Sequence, residues 1–285
     1  MSGGIAVRVG IVGAGIVGST VAIRLWEKGY CVGDVANRSQ AKAIWLAEQI
    51  QAQVSSPQDV MRNNDLILFG VPDRVIEPLV NELSPYCRKG QVLVHFSGAL
   101  SSNVMAAAKL YGARLLSLHP LQSFVSVAMA LKTLSGAHFA VEGDALDVGL
   151  RLVDDLGGIP HCFSKEDKSL YHAAACIASN YLVVLADIAA ELLTSVGFKS
   201  HEAVQALLPL MQGTVANLTN VGLPDALTGP IARGDYLVVE GHLATLPEES
   251  ATIYKKLGLR AVKLVTAKGT LTWENELHLR QILTE

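Results

Sequence analysis

Residues 6–18, AVRVGIVGAGIVG, constrain this chain more than any other stretch. Apolar residues packed over about seven positions suit a parallel strand buried on both faces. Gly13-Ala14-Gly15-Ile16-Val17-Gly18 then lets the backbone turn sharply and approach a phosphate, and a helix-like run over 19–28 follows, with an exit at Gly29. Helix-start amides hold a pyrophosphate at such a place. A bare GxGxxG is weak evidence, but strand, glycines and helix stand here in the order a dinucleotide site requires. Gly13, Ala14, Gly15, Ile16 and Val17 are therefore expected to bind a nucleotide cofactor.

A chain of 285 residues, 50% hydrophobic, can bury a sizeable core and is long enough for two domains. Beyond the first unit, strands are expected near 31–36, 53–55, 65–71, 91–96, 113–118, 137–141 and 159–163. Helices are expected near 40–51, 75–83, 103–111 and 145–156. This alternation predicts an α/β domain over residues 1–164, a Rossmann-type, mostly parallel sheet with ligands at the carboxyl ends of its strands. From 165 to 285 the pattern is helical, with periods over 167–196, 201–221, 235–246 and 248–268. An all-helical C-terminal domain is expected to pack on the sheet, with the reaction centre in the cleft between them.

The formal net charge is −3 and no basic run is present, which argues against nucleic acid as a partner. Cys31, Cys87, Cys162 and Cys176 are scattered without a CxxC, as free thiols in a reducing cytoplasm would be. The first strand begins within about six residues, leaving no room for a signal peptide. The apolar helix around 173–193 is interrupted by Asn180, Asp187 and Glu191, so it reads as a buried central helix and not a membrane span.

Cofactor choice is read at the end of the second strand. An acid about twenty residues past the glycines binds the ribose hydroxyls of NAD, whereas a basic or hydroxyl-bearing loop accepts a 2′-phosphate. Here the tip is Asn37-Arg38-Ser39. Arg38 offers a planar fork and its neighbours hydrogen bonds, favouring NADP(H). Asp34 is the competing NAD reading, about three residues early and inside the strand. Val71-Pro72 is expected to lie along the cofactor, Asp73 to cap the next helix, Ser97 to reach the nicotinamide or substrate, and His95 to be a satisfied core histidine.

His119 ends the sixth strand and is aimed at the cleft. His172, Cys176, Ser179 and Asn180 fall at i, i+4, i+7 and i+8, a polar stripe on an apolar helix. Arg233, in LTGPIARGD, either clamps a substrate carboxylate or pairs with Asp235, which is placed to cap the helix carrying His242. A zinc set of His172, Cys176 and His119 or His242 lacks short paired ligand spacing, and no metal is expected.

From about residue 13 to 254 the chain resembles the short-subunit dehydrogenase-like family that joins an NADP-type Rossmann domain to a helical domain of unknown function. HFSGAL (95–100), SLHPLQSF (117–124), YHAAACIASNY (171–181) and LTGPIARGD (227–235) with His242 carry the resemblance. The architecture is also similar to pyrroline-5-carboxylate reductase, prephenate dehydrogenase, ketopantoate reductase and the β-hydroxyacid dehydrogenases. The resemblance implies an NADPH-dependent oxidoreductase passing hydride to a C=O or C=N of a small carboxylate-bearing substrate. His119 or His172 would move the proton, Asn180 orient the substrate and Arg233 hold its carboxylate. A homodimer through the helical domain is expected from the surplus of apolar helix surface and from the relatives. β-Hydroxyacid dehydrogenases and ketopantoate reductase place a helix lysine one turn before an asparagine; one turn before Asn180 stands Cys176, no lysine is read in that face, and Lys165 and Lys168 lie before it, nearer the start of the helix. The alternative is an NADP(H)-binding regulatory or interaction protein without turnover.

Overall fold

The computed structural model describes residues 7–285; Ala6, where the first strand is read to begin, lies outside them. The chain divides into two compact units, one ending at Asn180 and the other running from Tyr181 to Glu285. In the first, β1 (Arg8–Val12) leads to α1 (Ile16–Glu27), β2 (Cys31–Ala36), α2 (Gln40–Ile50), β3 (Gln53–Val54), α3 (Pro57–Asn63), β4 (Leu66–Phe69) and α4 (Asp73–Leu83). Next come β5 (Val92–His95), a 3-10 segment (Ser102–Tyr111), β6 (Arg114–Pro120), α5 (Val127–Thr133), β7 (His138–Gly143), α6 (Leu146–Asp155), β8 (Ile159–Cys162) and α7 (Lys168–Ala178).

One sheet holds all eight strands in the order β3-β2-β1-β4-β5-β6-β7-β8, parallel throughout except between β6 and β7. The apolar runs explain why its centre is covered on both sides. In β4, Leu66 and Leu68 join Val9, Ile11, Val94 and Leu116 in one core, while Ile67 and Phe69 join Val80, Leu93 and Leu115 in the other. This is the mostly parallel Rossmann-type sheet expected from the sequence. Val12, Phe69, His95 and Ser117 are successive partners across β1, β4, β5 and β6, so the chain leaves these strands along one carboxyl edge.

Local differences have physical causes. Helix α1 starts at Ile16, earlier than read, because its first turn lies within the glycine motif itself. The 103–111 helix is 3-10 in character, with Met105 off helical geometry (φ −101°, ψ 17°). The period over 167–196 is broken at Ser179 (φ −115°, ψ −68°), where Ser179 and Asn180 are side chains that compete for backbone hydrogen bonds. The stripe drawn across that break is therefore not one continuous helical face.

The second unit contains α8 (Asn180–Ser195), α9 (Ser200–Val221), α10 (Pro230–Arg233), α11 (Tyr236–Thr245), α12 (Glu248–Lys268) and α13 (Trp273–Thr284). Asn180 itself is grouped with the first unit. Val239, Val262, Leu279 and Leu283 make its core, with Ile231, Tyr236 and Tyr254 packed against them. The 16 residues of α8 bury only Ala190 and the 22 of α9 only Ala203. The buried central helix expected over 173–193 is thus corrected, since Tyr181, Val183, Val184 and Leu185 are exposed. The stretch Lys165–Ser195 is long and apolar enough by composition to cross a membrane. Its first half instead sends Lys168 and Tyr171 into hydrogen bonds with the sheet.

Candidate functional site

The nucleotide end of the site begins with steric necessity. Gly13 adopts φ +100°, and a Cβ there would fall 2.5 Å from Val71 Cγ1 and 2.7 Å from the Gly70 carbonyl. A Cβ on Gly18 would fall 2.9 Å from Gly70 Cα. The glycines let α1 settle against the exit of β4. Gly15 occupies the N-cap of α1 with no side-chain cap, and no acid stands in the first turn. Ile16 and Val17 open that turn, so the residues present fit a dinucleotide phosphate.

At the tip of β2 the residues differ in what they have left to offer. Asn37 Oδ1 accepts from Ala14 N at 3.0 Å and its Nδ2 donates to Ser39 O at 3.0 Å, so its carboxamide braces the glycine loop. Arg38 and Ser39 are exposed beyond it. Asp34 is fully buried and accepts from Gln53 Nε2 (2.7 Å), Ser55 Oγ (2.5 Å), Asn64 Nδ2 (2.9 Å) and Arg8 (3.4 Å). Burial alone would raise its pKa, but these hydrogen bonds and the Arg8 charge bring it below the usual carboxylate value. Asp34 is a core acid, not a ribose ligand.

At the exit of β4, Val71 meets the glycine loop, and Pro72 is extended (φ −60°, ψ 147°) as N-cap of α4. Asp73 is therefore not the cap that was expected. Its carboxylate accepts from Ser97 Oγ at 2.6 Å. That hydroxyl also accepts from Ala99 N (3.2 Å) and Leu100 N (2.9 Å), so its donor and both lone pairs are taken within the chain. His95 is a satisfied core histidine: Nδ1 accepts from Ser97 N, Nε2 faces Ser101 O at 3.1 Å, and burial pushes its pKa down to about 3.

Past Ser97 the polar groups converge. His119 Nδ1 and the Tyr171 hydroxyl are 2.7 Å apart, joining β6 to α7. Burial, with the charges of Lys168 and His172, lowers His119 to about 4, so its imidazole is neutral at pH 7. Burial raises Tyr171 to about 12, so the phenol keeps its proton. A Cβ on Gly98 would lie 2.6 Å from His172 Nδ1 and 2.9 Å from His119 Nε2: two imidazole nitrogens face the one residue that has no side chain. His172 Nδ1 is buried without a hydrogen-bond partner, and its Nε2 lies 3.6 Å from Cys176 Sγ.

Behind them lies a residue that the sequence reading set before the polar face and gave no role. Lys168 is 1% exposed, and its Nζ donates to Ser97 O and Ser117 Oγ, each at 2.8 Å. Burial lowers its pKa to about 8, partly opposed by the carboxylates of Glu142 and Asp73. Two of its three donors are used in these bonds. The statement that no lysine stands in the helix face is corrected: Lys168, His172 and Cys176 are one stripe at i, i+4 and i+8. Counting back one turn from His172, not from Asn180, would have found it.

The remaining site residues are Asn180, at the end of the first unit, and residues of the second unit. Asn180 is exposed at the start of α8. Arg233, in the second unit, is 63% exposed and its Nε donates to Asp235 Oδ2 at 2.8 Å. Asp235 holds the N-cap position of α11 but makes no capping bond, its carboxylate being given to Arg233. His242 Nδ1 faces the Tyr254 hydroxyl at 2.9 Å. Among the described residues no cluster of three or more metal-ligating side chains occurs.

A Rossmann-like domain model matches residues 4–120, and the domain of unknown function DUF2520 matches 137–261. No curated protein matches. A structure of a Thermotoga maritima protein is 29% identical, covers 97% of this chain and 98% of its own, and superposes with a TM-score of 0.69. A candidate NADP oxidoreductase of Bacteroides fragilis is 22% identical, with coverages of 90% and 97% and a TM-score of 0.70. A 1-pyrroline-5-carboxylate reductase from Streptococcus pyogenes is 17% identical, with coverages of 98% and 99% and a TM-score of 0.59. The first match ends with β6 and the second begins just before β7, where the sheet changes direction. His119 and Gly98 come from one segment, and Lys168, Tyr171 and His172 from the other. The chain joins a Rossmann-like domain to the domain of unknown function DUF2520.

Proposed function

We propose that the protein is an NADP(H)-dependent oxidoreductase that moves hydride to or from the carbon of a small C–O or C–N group held beside His119. The convergence of His119 Nε2 and His172 Nδ1 on Gly98, with buried Lys168 behind them, carries this reading. The glycine loop follows β1 and Gly98 follows β5 on the same carboxyl edge, two strand spacings apart, about 10 Å. A bound nicotinamide would donate or accept the hydride. In the tautomer whose Nδ1–H is given to the Tyr171 oxygen, His119 presents the lone pair of Nε2 to the substrate. It takes the hydroxyl or amine proton as the substrate is oxidised and returns it in reduction. His172, edge-on to His119 with ring centroids 6.2 Å apart, and the charge of Lys168 behind it hold that imidazole in place. Arg233 gives its Nε to Asp235, and the carboxylate clamp expected of it has no part in this reading.

The 2′-phosphate preference rests on Arg38, exposed past a β2 that offers no free acid. NADPH and NADH titrations of wild type and Arg38→Ala test it, with the NADPH preference expected to fall at least tenfold. Loss of NADPH absorbance against a panel of keto and imino acids tests turnover. Cofactor binding with no turnover on any of them would favour the regulatory alternative.

We also infer that α8 and α9 are covered by a second copy of the chain. They expose Tyr181, Val183, Val184, Leu208, Leu210 and Val215, apolar side chains of the kind a partner surface covers. Asp187 and Glu191 within α8 favour a protein partner over lipid.

A further inference from the structure

Next to His119 the sheet carries a pocket to which nothing above gives a role. His119, Ala140 and His161 are register partners across β6, β7 and β8, so their side chains leave the same face in one row. Ala140 is the small member, and the space above it is a pocket of about 290 Å³. Leu121, Phe163 and Tyr171 form walls, with His138 and His161 as its polar members. The Phe163 and Tyr171 rings are tilted with centroids 5.0 Å apart, and Tyr171 stands edge-on to His119 at 5.6 Å.

The polar members complete a recognisable chemistry. His138 Nδ1 and His161 Nε2 are 2.6 Å apart, and the rings stack with centroids 4.9 Å apart. The contact takes one ring nitrogen from each imidazole, so the pair keeps His138 Nε2 and His161 Nδ1 for a ligand. An apolar cavity of about 150 Å³ is enough to bind benzene. This pocket takes a ring with a short chain, and its lining rewards an apolar group over a charged one.

We propose that the pocket over Ala140 is the specificity subsite for a flat apolar ring on the substrate, with the ring's short polar arm at the histidine pair or reaching past Tyr171 toward His119. The assignment as substrate rests on the oxidoreductase reading; the binding itself does not. Tyr171 is at once a wall of the pocket and the hydrogen-bond partner of His119, so a filled pocket holds the phenol that orients the imidazole.

The test is titration calorimetry of the full chain with 3-phenylpropionate and with propionate, in wild type, Ala140→Leu and Leu121→Asp, alongside NADPH. The aromatic acid is expected to bind at least tenfold more tightly than propionate. Ala140→Leu fills the pocket floor and should remove that preference with NADPH affinity unchanged. Leu121, 45% exposed at the wall, takes an aspartate without cost to the fold, and Leu121→Asp decides the matter should Ala140→Leu misfold. Equal binding of the two acids, or a preference that survives the folded variants, would overturn the proposal. Ring binding without NADPH binding would sink the oxidoreductase reading and leave the subsite standing; NADPH binding with no ring preference would do the reverse.

Discussion

His119 and Tyr171, 52 residues apart in sequence, meet at 2.7 Å between Nδ1 and the phenol oxygen, and through them α7 is held against the carboxyl end of β6. The bond fixes which imidazole nitrogen faces Gly98. It also carries a pH dependence. His119 must be neutral to take a proton, so oxidative kcat/KM should rise as pH passes above about 4, and it should fall as Lys168 loses its charge above about 8. His119→Ala is expected to lower kcat/KM by about 10²–10⁴-fold. Tyr171→Phe, losing one hydrogen bond of about 1 kcal/mol, should cost about fivefold. An acid limb that persists in His119→Ala would remove His119 from proton transfer.

Lys168 makes a prediction about stability. In the unfolded chain a lysine titrates near 10.5, and in the fold Lys168 titrates at about 8. Between these values the unfolded chain binds the extra proton, so stability rises with pH through that window and the cost of burying the ammonium is greatest below it. The gap amounts to about 3 kcal/mol. Urea unfolding from pH 7 to 10 should show wild type gaining on Lys168→Met by an amount of that order. Parallel profiles would mean that the ammonium is not held as buried as the geometry shows.

Periodicity made the sheet legible because β1, β4 and β5 are buried on both faces, and a doubly buried strand leaves an unbroken apolar run. The glycine loop and the exits of β4, β5 and β6 were legible for a related reason, since strand ends show where the run stops. Lys168 was not. A lysine in the first turn of a helix ordinarily faces water, and only the sheet lying over it, supplying Ser97 O and Ser117 Oγ, makes it a buried group. The polar stripe misled because a helical wheel assumes continuity, which Ser179 breaks. For Arg233 the sequence left a carboxylate clamp and a pair with Asp235 both open, and the fold makes the pair, since two residues at i and i+2 of a tight turn are near neighbours whatever packs around them.

Gly98 has a steric reason for being glycine. A methyl group there overlaps His172 Nδ1 at 2.6 Å and His119 Nε2 at 2.9 Å, and at least one ring must move. Overpacking of this kind costs about 1–3 kcal/mol. Gly98→Ala should lower kcat/KM at least tenfold while NADPH still binds, since the cofactor loop is untouched. Adding His172→Ala makes room for the methyl group, so the double variant should recover stability relative to Gly98→Ala alone. Strictly additive losses in that cycle would show that the two residues do not meet.

The surfaces of α8 and α9 decide the assembly. Apolar side chains that water surrounds in one copy gain about 25 cal/mol per Å² when a second copy covers them, and helices with one buried residue each have little else to hold them. Sedimentation should therefore report twice the 30.3 kDa of one chain. Val184 is 50% exposed and Val215 52% exposed, so an aspartate at either costs a lone chain little but would be buried, unpaired, in the dimer. Val184→Asp with Val215→Asp should give a monomer whose NADPH affinity is retained, because the glycine loop and Arg38 belong to the other unit. A wild-type chain that sediments as a monomer at micromolar concentration would leave those helices without the partner assigned to them.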